Sequence, residues 1–299
     1  MIKRTLFFAN HCYLSVKNNQ LLVSYRDPER QVVVALEDVG FVVVEDCSIT
    51  FSMKFIELCS QYNIAVVFCD SKHMPDAMVQ PFSAHTTHSE TLQAQIKSKA
   101  VLKKQLWKRT VEMKILNQSR LLKHLQRTEA LKLLALSKSI KSGDAGNREA
   151  MAAKIYWRAL FRIDGFKRDR YGDYPNNLLN YGYAILRAAV ARALVGSGLY
   201  PAIGIHHHNR YNAFCLTDDV MEPYRPFVDK IVFEIVNENE ELFELDIKTK
   251  RLLLSVLKQD TILEKVKSPL SVALTRTSAS IMRSFINNQV EVKYPTLDF

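Results

Sequence analysis

The chain has 299 residues, 47% of them apolar, and a formal charge of +10. That length suggests about one to two domains, and the apolar share is enough for an ordinary core. No run of about 18 uncharged apolar residues occurs, so no membrane span is expected, and five scattered cysteines without a CxxC pair argue against a disulfide frame or a cysteine zinc site.

From the N-terminus, Met1-Ile2-Lys3-Arg4-Thr5-Leu6-Phe7-Phe8-Ala9-Asn10 is too short in its apolar part for a signal-peptide core and reads as a strand. Residues 12–16 and 20–25 are further β-leaning runs, with Lys17-Asn18-Asn19-Gln20 as a hairpin turn between them. Runs 31–36 and 40–45 are Val-rich, 50–62 has helical spacing, and 63–70 is a buried strand. A small β domain with one helix, residues 1–82, is expected. Pro75, Pro81 and a Ser/Thr/His cluster break the pattern, which places a linker at 83–90.

From 91 to 299 the pattern is helical, and an all-α domain is expected. Helices are predicted over 90–117, 119–139, 147–160, 176–195, 223–236, 249–258 and 270–288, with Asn176 as an N-cap. The fold class is therefore α+β. Between Thr91 and Lys141 stand thirteen Lys or Arg against two acids, a net of +11 that accounts for the whole excess. Such a field suits a polyanion, most often nucleic acid; the alternative is a solvated helix face. Lys103, Lys104, Lys108 and Arg109 are the candidate phosphate contacts. Trp107 among them is a helix-packing residue or, less commonly, a base-stacking one.

The richest stretch for chemistry runs from Gly204 to Arg225. It holds His206, His207 and His208, then Asp218, Asp219 and Glu222. Asp219 and Glu222 are three apart, so on a helix they share a face. Imidazole with carboxylates and no thiolate suits a divalent metal such as Mg2+ or Mn2+, not structural zinc. Three consecutive histidines cannot all face one way, so one ligand is expected, with the others packing or facing solvent. Glu149 lies in the first turn of a predicted helix, where an acid is favoured by the dipole alone. Tyr181 and Tyr183 sit inside another helix and are read as core. His207-His208-Asn209-Arg210 also fits the HxxR element of tyrosine recombinases, but the one tyrosine after Tyr224 is Tyr294.

Three elements together carry a specific resemblance. They are Asn147-Arg148-Glu149-Ala150 with Ala153 and Ile155-Tyr156; Asn176-Asn177 with Leu179-Asn180-Tyr181-Gly182-Tyr183-Ala184-Ile185-Leu186; and Gly204-Ile205-His206-His207 followed by Cys215-Leu216-Thr217-Asp218-Asp219-Val220-Met221-Glu222-Pro223-Tyr224-Arg225-Pro226. The chain resembles the CRISPR-associated integrase–endonuclease, the larger of the two universal spacer-acquisition proteins, and most of all members from single-effector (type II) systems. The resemblance implies an N-terminal β domain for dimerisation and a helical catalytic, DNA-binding domain.

It implies Glu149, His207 and Glu222 as ligands of Mg2+ or Mn2+, Asp219 close to the metal, and Arg225 as a basic residue near the site that also meets DNA. It implies insertion of short foreign DNA into a CRISPR array by 3′-hydroxyl attack on a phosphodiester, or endonuclease action with water. The implied partners are double-stranded DNA, a second copy of the chain, a dimer of the smaller acquisition protein bridging two homodimers, and the RNA-guided effector nuclease. The implied setting is the prokaryotic cytoplasm. The rival functions are a non-catalytic DNA-binding scaffold and a metal-dependent phosphoester hydrolase.

Overall fold

Asn18 and Asn19 both take left-handed backbone, φ 52 and 58. That is the twist a two-residue hairpin needs, and they join strand β2 (Tyr13–Lys17) to β3 (Gln20–Arg26). The computed structural model describes residues 3–26, 28–81, 85–238 and 245–299. Met1, Ile2 and the linker positions 83 and 84 lie outside the described residues. The chain divides into two compact units, Met1–Ala84 and His85–Phe299.

The first unit holds two four-stranded sheets. One runs β1 (Arg4–Phe8), β5 (Val39–Val44), β7 (Ala65–Cys69) and β8 (Pro75–Val79). The other runs β4 (Glu29–Ala35), β3, β2 and β6 (Thr50–Phe51). Val-Gly-Phe-Val-Val-Val of β5 is buried at every position. It lies between two parallel neighbours, which explains its continuous apolar run. Leu21 and Val23 of β3 alternate inward against Leu14, Val42 and Phe55. Helix α1 (Met53–Gln61) is capped by the Ser52 hydroxyl, which accepts from the Phe55 amide, and buries Phe55, Leu58 and Cys59. Strand β8 falls where the sequence pattern breaks. Pro75 is tolerated there because it opens a strand at the sheet edge, where no ladder donor is required.

The second unit is mainly helical. It runs α2 (His88–Lys97), α3 (Ala100–His124), α4 (Ala130–Ser137), α5 (Arg148–Phe161), α6 (Asn176–Gly196), α7 (Cys215–Met221), α8 (Arg225–Glu238), α9 (Ile247–Leu254) and α10 (Leu270–Ile286). It is not purely α: strands β9 (Asp260–Leu263), β10 (Val266–Pro269) and β11 (Thr296–Leu297) form a small antiparallel sheet. Helix α6 is the one described helix long and apolar enough to cross a membrane, yet 72% of that window is buried among the other helices. It packs on α7, α8, α9 and α10 and is the core helix of the unit. Gly182 lets α8 come close, since a Cβ there would stand 2.4 Å from Val228 Cγ1.

Several boundaries differ from the sequence expectation. Helix α3 continues through Asn117-Gln118-Ser119, where the sequence pattern predicts a break, and ends at His124. Partners outside the helix satisfy two of those side chains: the Asn117 amide donates to Pro223 O and Pro295 O, and the Ser119 hydroxyl to Ala130 O. Asn176 is the first residue of α6 and not its cap. Its side chain instead accepts from the Asp169 amide and donates to Lys167 O, tying down the preceding loop.

Candidate active site

The start of α5 is fixed by Asp144. Asn147 takes left-handed backbone, φ 47, and its side chain caps nothing. Asp144 replaces it: its carboxylate accepts from Arg148 N at 2.8 Å and Glu149 N at 3.0 Å. Glu149 is thereby pinned at the first turn. Its Oε1 lies 2.6 Å from Nζ of Lys114 on α3, so it does more than favour a helix dipole.

Lys114 also lies 2.6 Å from Oε2 of Glu222. Glu222 stands just past the end of α7, in a 3-10 turn over Glu222–Tyr224. The Asn117 amide donates to Pro223 O at 2.8 Å and holds that turn on α3. The other oxygen of Glu222 meets Arg225 Nη2 at 2.9 Å. Glu222 is 5% exposed. Burial pushes its pKa up, but Arg225 and then Lys114 outweigh this and hold it below the ordinary carboxylate value. Burial pulls Lys114 down, yet Glu222 and Glu149 hold it above its ordinary value. Two carboxylates and two cations thus form a closed ionic cluster.

The histidine loop is built on Asp219, which is fully buried. Its Oδ2 accepts from Ile205 N at 2.6 Å and His206 N at 2.9 Å, and its Oδ1 from His207 N at 3.2 Å. The His207 ring pairs with the same Oδ1 through Nδ1 at 2.6 Å. With Nδ1–H donating there, Nε2 carries the lone pair. Gly204 makes the loop possible: a Cβ there would stand 2.3 Å from His207 O and 3.0 Å from Asp219 Oδ2.

His206 stacks on Trp107 with ring centroids 4.2 Å apart and planes 3° apart, and His207 sets its edge on the same indole at 5.8 Å. His208 is exposed. The hydrogen bond to Asp219 raises the His207 pKa. Partial burial opposes the rise, and the charges of Asp219, Glu222 and Asp218 add to it.

Sequence reasoning missed three features. Lys114 is one of thirteen basic residues in its segment, and nothing local marks it. Asp144 hides in a Ser-Gly-Asp turn. The third is a buried group behind Arg225. That guanidinium lies over the Tyr183 ring at 4.8 Å, Tyr183 donates to Asp229 Oδ1, and Tyr156 donates to Asp229 Oδ2 at 2.7 Å. Burial lifts Asp229 to about 6, against the pull of the two tyrosine bonds and Arg225. The group ties α5, which carries Glu149, to α6 and to α8, which carries Arg225. Asp229 was findable only as an acid in an otherwise apolar helix face.

The remaining sequence candidates separate. Asp219 and Glu222 do not act as a pair on one face: Asp219 faces the histidine loop, and Glu222 meets Lys114 and Arg225. Lys103 and Lys108 of α3 are half-buried, whereas Lys104 and Arg109 are exposed. Lys108 and Arg109 lie 3.6 and 3.3 Å from Glu112. Trp107 is 2% exposed, so it packs and cannot stack on a base. Tyr294 is buried with its hydroxyl 2.8 Å from Thr110, which removes it as a recombinase nucleophile.

Among the described residues, no three His, Cys, Asp or Glu side chains stand close enough together to hold a metal ion as they are. The donor chemistry nevertheless fits a hard divalent cation. Two carboxylates already converge on one cationic atom, Lys114 Nζ. Beside them His207 offers a neutral nitrogen whose ring is oriented by a carboxylate, the usual arrangement behind a metal-bound imidazole. Trp107 and Lys114 are seven apart on α3, so one face of that helix backs both parts.

The chain is also similar to known proteins in sequence and in fold. A CRISPR-associated endonuclease of Neisseria meningitidis serogroup C (strain 8013) is 31% identical over 299 residues, covering 99% of this chain and 97% of its own. A solved casposase bound to its integration product shares the fold with a TM-score of 0.78 at 18% identity, covering 98% of this chain and 92% of that one. A chain of a Cas6-RT-Cas1–Cas2 complex does so with a TM-score of 0.71 at 20% identity, covering 96% of this chain and 35% of that one. Residues 6–267 match the family described as CRISPR associated protein Cas1. The chain belongs to that family.

Proposed function

We propose that the chain is a metal-dependent DNA integrase and endonuclease that inserts short foreign DNA fragments into a CRISPR array for antiviral defence. The observation that carries this reading is the convergence of Glu149 and Glu222 on a single cation position, Lys114 Nζ at 2.6 Å from each, beside His207 set by Asp219. The likeness to the Neisseria endonuclease and to a casposase bound to its integration product supports it.

Glu149, Glu222 and His207 Nε2 would hold Mg2+ or Mn2+. Bound there, the ion would neutralise charge developing on a phosphodiester and favour attack by a 3′-hydroxyl, or by water in the endonuclease reaction. Asp219 orients His207 and keeps its lone pair outward. Arg225 fixes Glu222 and offers a guanidinium to phosphate. Lys103, Lys104, Lys108 and Arg109 supply phosphate contacts along α3, so DNA affinity falls steeply with salt. The β unit serves dimerisation. The smaller acquisition protein is the bridging partner, a reading supported by the likeness to a chain solved in a Cas1–Cas2 complex. The setting is the prokaryotic cytoplasm.

Strand transfer of a labelled fragment bearing a 3′-hydroxyl tests the proposal. Glu149→Ala, His207→Ala and Glu222→Ala each abolish product, and excess EDTA abolishes it in the parent chain. Product formed in EDTA sinks metal catalysis. DNA binding without strand breaks in any divalent metal favours a scaffold. Hydrolysis of small phosphoesters without length-dependent DNA affinity favours a phosphoesterase.

A further inference from the structure

Each carboxylate oxygen of Glu222 faces a cation of the chain itself. Oε1 is 2.9 Å from Arg225 Nη2, and Oε2 is 2.6 Å from Lys114 Nζ. Glu149 meets the same ammonium through Oε1 at 2.6 Å. The Lys114 side chain is 12% exposed and Glu222 6%. In so sheltered a pocket an ion pair is weakly screened, and adding a divalent cation beside a retained ammonium sets like charges within a few ångströms. The ammonium occupies the position that a divalent ion bridging these two carboxylates requires.

We propose that Lys114 is an internal counter-ion that a metal must displace from between Glu149 and Glu222. The chain's own ammonium thereby sets its metal affinity. This inference rests on the metal reading of the site. It adds a role for a residue outside the proposed ligand set: in the metal-free protein Lys114 keeps the two carboxylates converged and compensated, and metal binding requires its departure.

Two further features fit an exchangeable cation. Arg225 is anchored separately, over the Tyr183 ring at 4.8 Å, so Glu222 keeps one partner when Lys114 leaves. The backbone amide of Glu149 is held by the Asp144 cap, so the first turn of α5 stays in place when Lys114 leaves. The lysine side chain is unbranched and flexible, and a strongly hydrated ammonium is stable once it swings to water.

The test is Mn2+ binding, read from the loss of the free-ion paramagnetic resonance signal on titration, in the parent chain, Lys114→Met and Lys114→Arg. Methionine keeps the length and removes the charge, so Mn2+ binds at least about tenfold tighter. Arginine keeps the charge and grips carboxylates in a planar fork, so Mn2+ binds more weakly than in the parent. A solely structural lysine would not shift affinity in opposite directions.

Thermal melts supply the second measurement. Without metal Lys114→Met melts below the parent, and Mn2+ raises its midpoint by more than it raises the parent's. Equal or weaker Mn2+ binding in Lys114→Met, or unchanged or tighter binding in Lys114→Arg, overturns the inference. If the parent and Lys114→Met both leave all Mn2+ free, the metal reading fails, and the displacement with it. A parent that binds Mn2+ with variants that bind equally defeats the displacement alone.

Discussion

The two parts of the site are prepared differently. The imidazole part is rigid and open: Asp219 commits its carboxylate to three backbone amides and the His207 ring, leaving Nε2 outward. The carboxylate part is closed on itself: Glu149 and Glu222 are compensated by Lys114 and Arg225. A neutral ligand can be left ready because exposure of a lone pair costs little. Two acids cannot share a sheltered pocket uncompensated, because the charge must find a partner or be protonated. The difference predicts that damage to the acid part is dominated by charge, and damage to the imidazole part by geometry.

Glu222→Ala has the largest expected effect. Glu222 is 5% exposed. Its loss leaves Lys114 with Glu149 as its remaining ion pair and takes from Arg225 its ion pair, so stability falls by about 3–5 kcal/mol and strand transfer disappears. Urea unfolding monitored by circular dichroism measures the first, and the labelled-fragment assay the second. Asp219→Ala is next. It orphans three amide donors and frees the His207 ring, costing about 2–4 kcal/mol in unfolding and about 10–100-fold in Mn2+ affinity. Gly204→Ala costs less, about 1–3 kcal/mol, because one methyl displaces the loop without removing a partner. Its larger signature is weakened Mn2+ binding, since the His207 carbonyl must move.

The fourth expectation concerns pH. The His207 pKa is raised, chiefly by the Asp219 bond. The stabilisation from that bond is therefore fully present below the unfolded value of about 6.5 and is lost as pH rises through the higher folded value. Metal binding runs the other way, because only the neutral ring is a ligand. Mn2+ affinity falls as pH drops through the raised pKa, and Asp219→Asn moves that acid limb to lower pH. Titrations across pH check both signs. The smallest effects lie outside both parts: Lys104→Ala lowers the slope of log DNA affinity against log salt by about one, and leaves Mn2+ affinity unchanged.

Much of the fold was legible because short-range pattern decided it. The Val-rich run of β5 and the Asn18-Asn19 turn needed no distant partner to be recognised. The runs that failed were settled at long range. Asn117-Gln118-Ser119 reads as a helix break, yet α3 continues because Asn117 finds Pro223 and Pro295 about a hundred or more residues away. Strand β11 is two residues long and exists through pairing with β9. The site divides the same way. His207, Asp219, Glu222 and Arg225 share one stretch whose Gly-x-x-His and Asp-x-x-Glu spacing shows itself. Lys114 and Asp144 do not, because one is a lysine among many and the other a turn residue. Lys114 takes its role from acids far along the chain, and Asp144 from amides just ahead of it, in the place where Asn147 is the residue next to the helix.

In the proposed function, His207 and the two glutamates form one metal site. Pulsed paramagnetic resonance on the Mn2+-loaded chain, reading nitrogen coupling from a bound imidazole, tests it most directly. A single nitrogen coupling is expected, which survives in His206→Ala and His208→Ala and vanishes in His207→Ala. A coupling that persists without His207, or is lost with His206 or His208 instead, contradicts it.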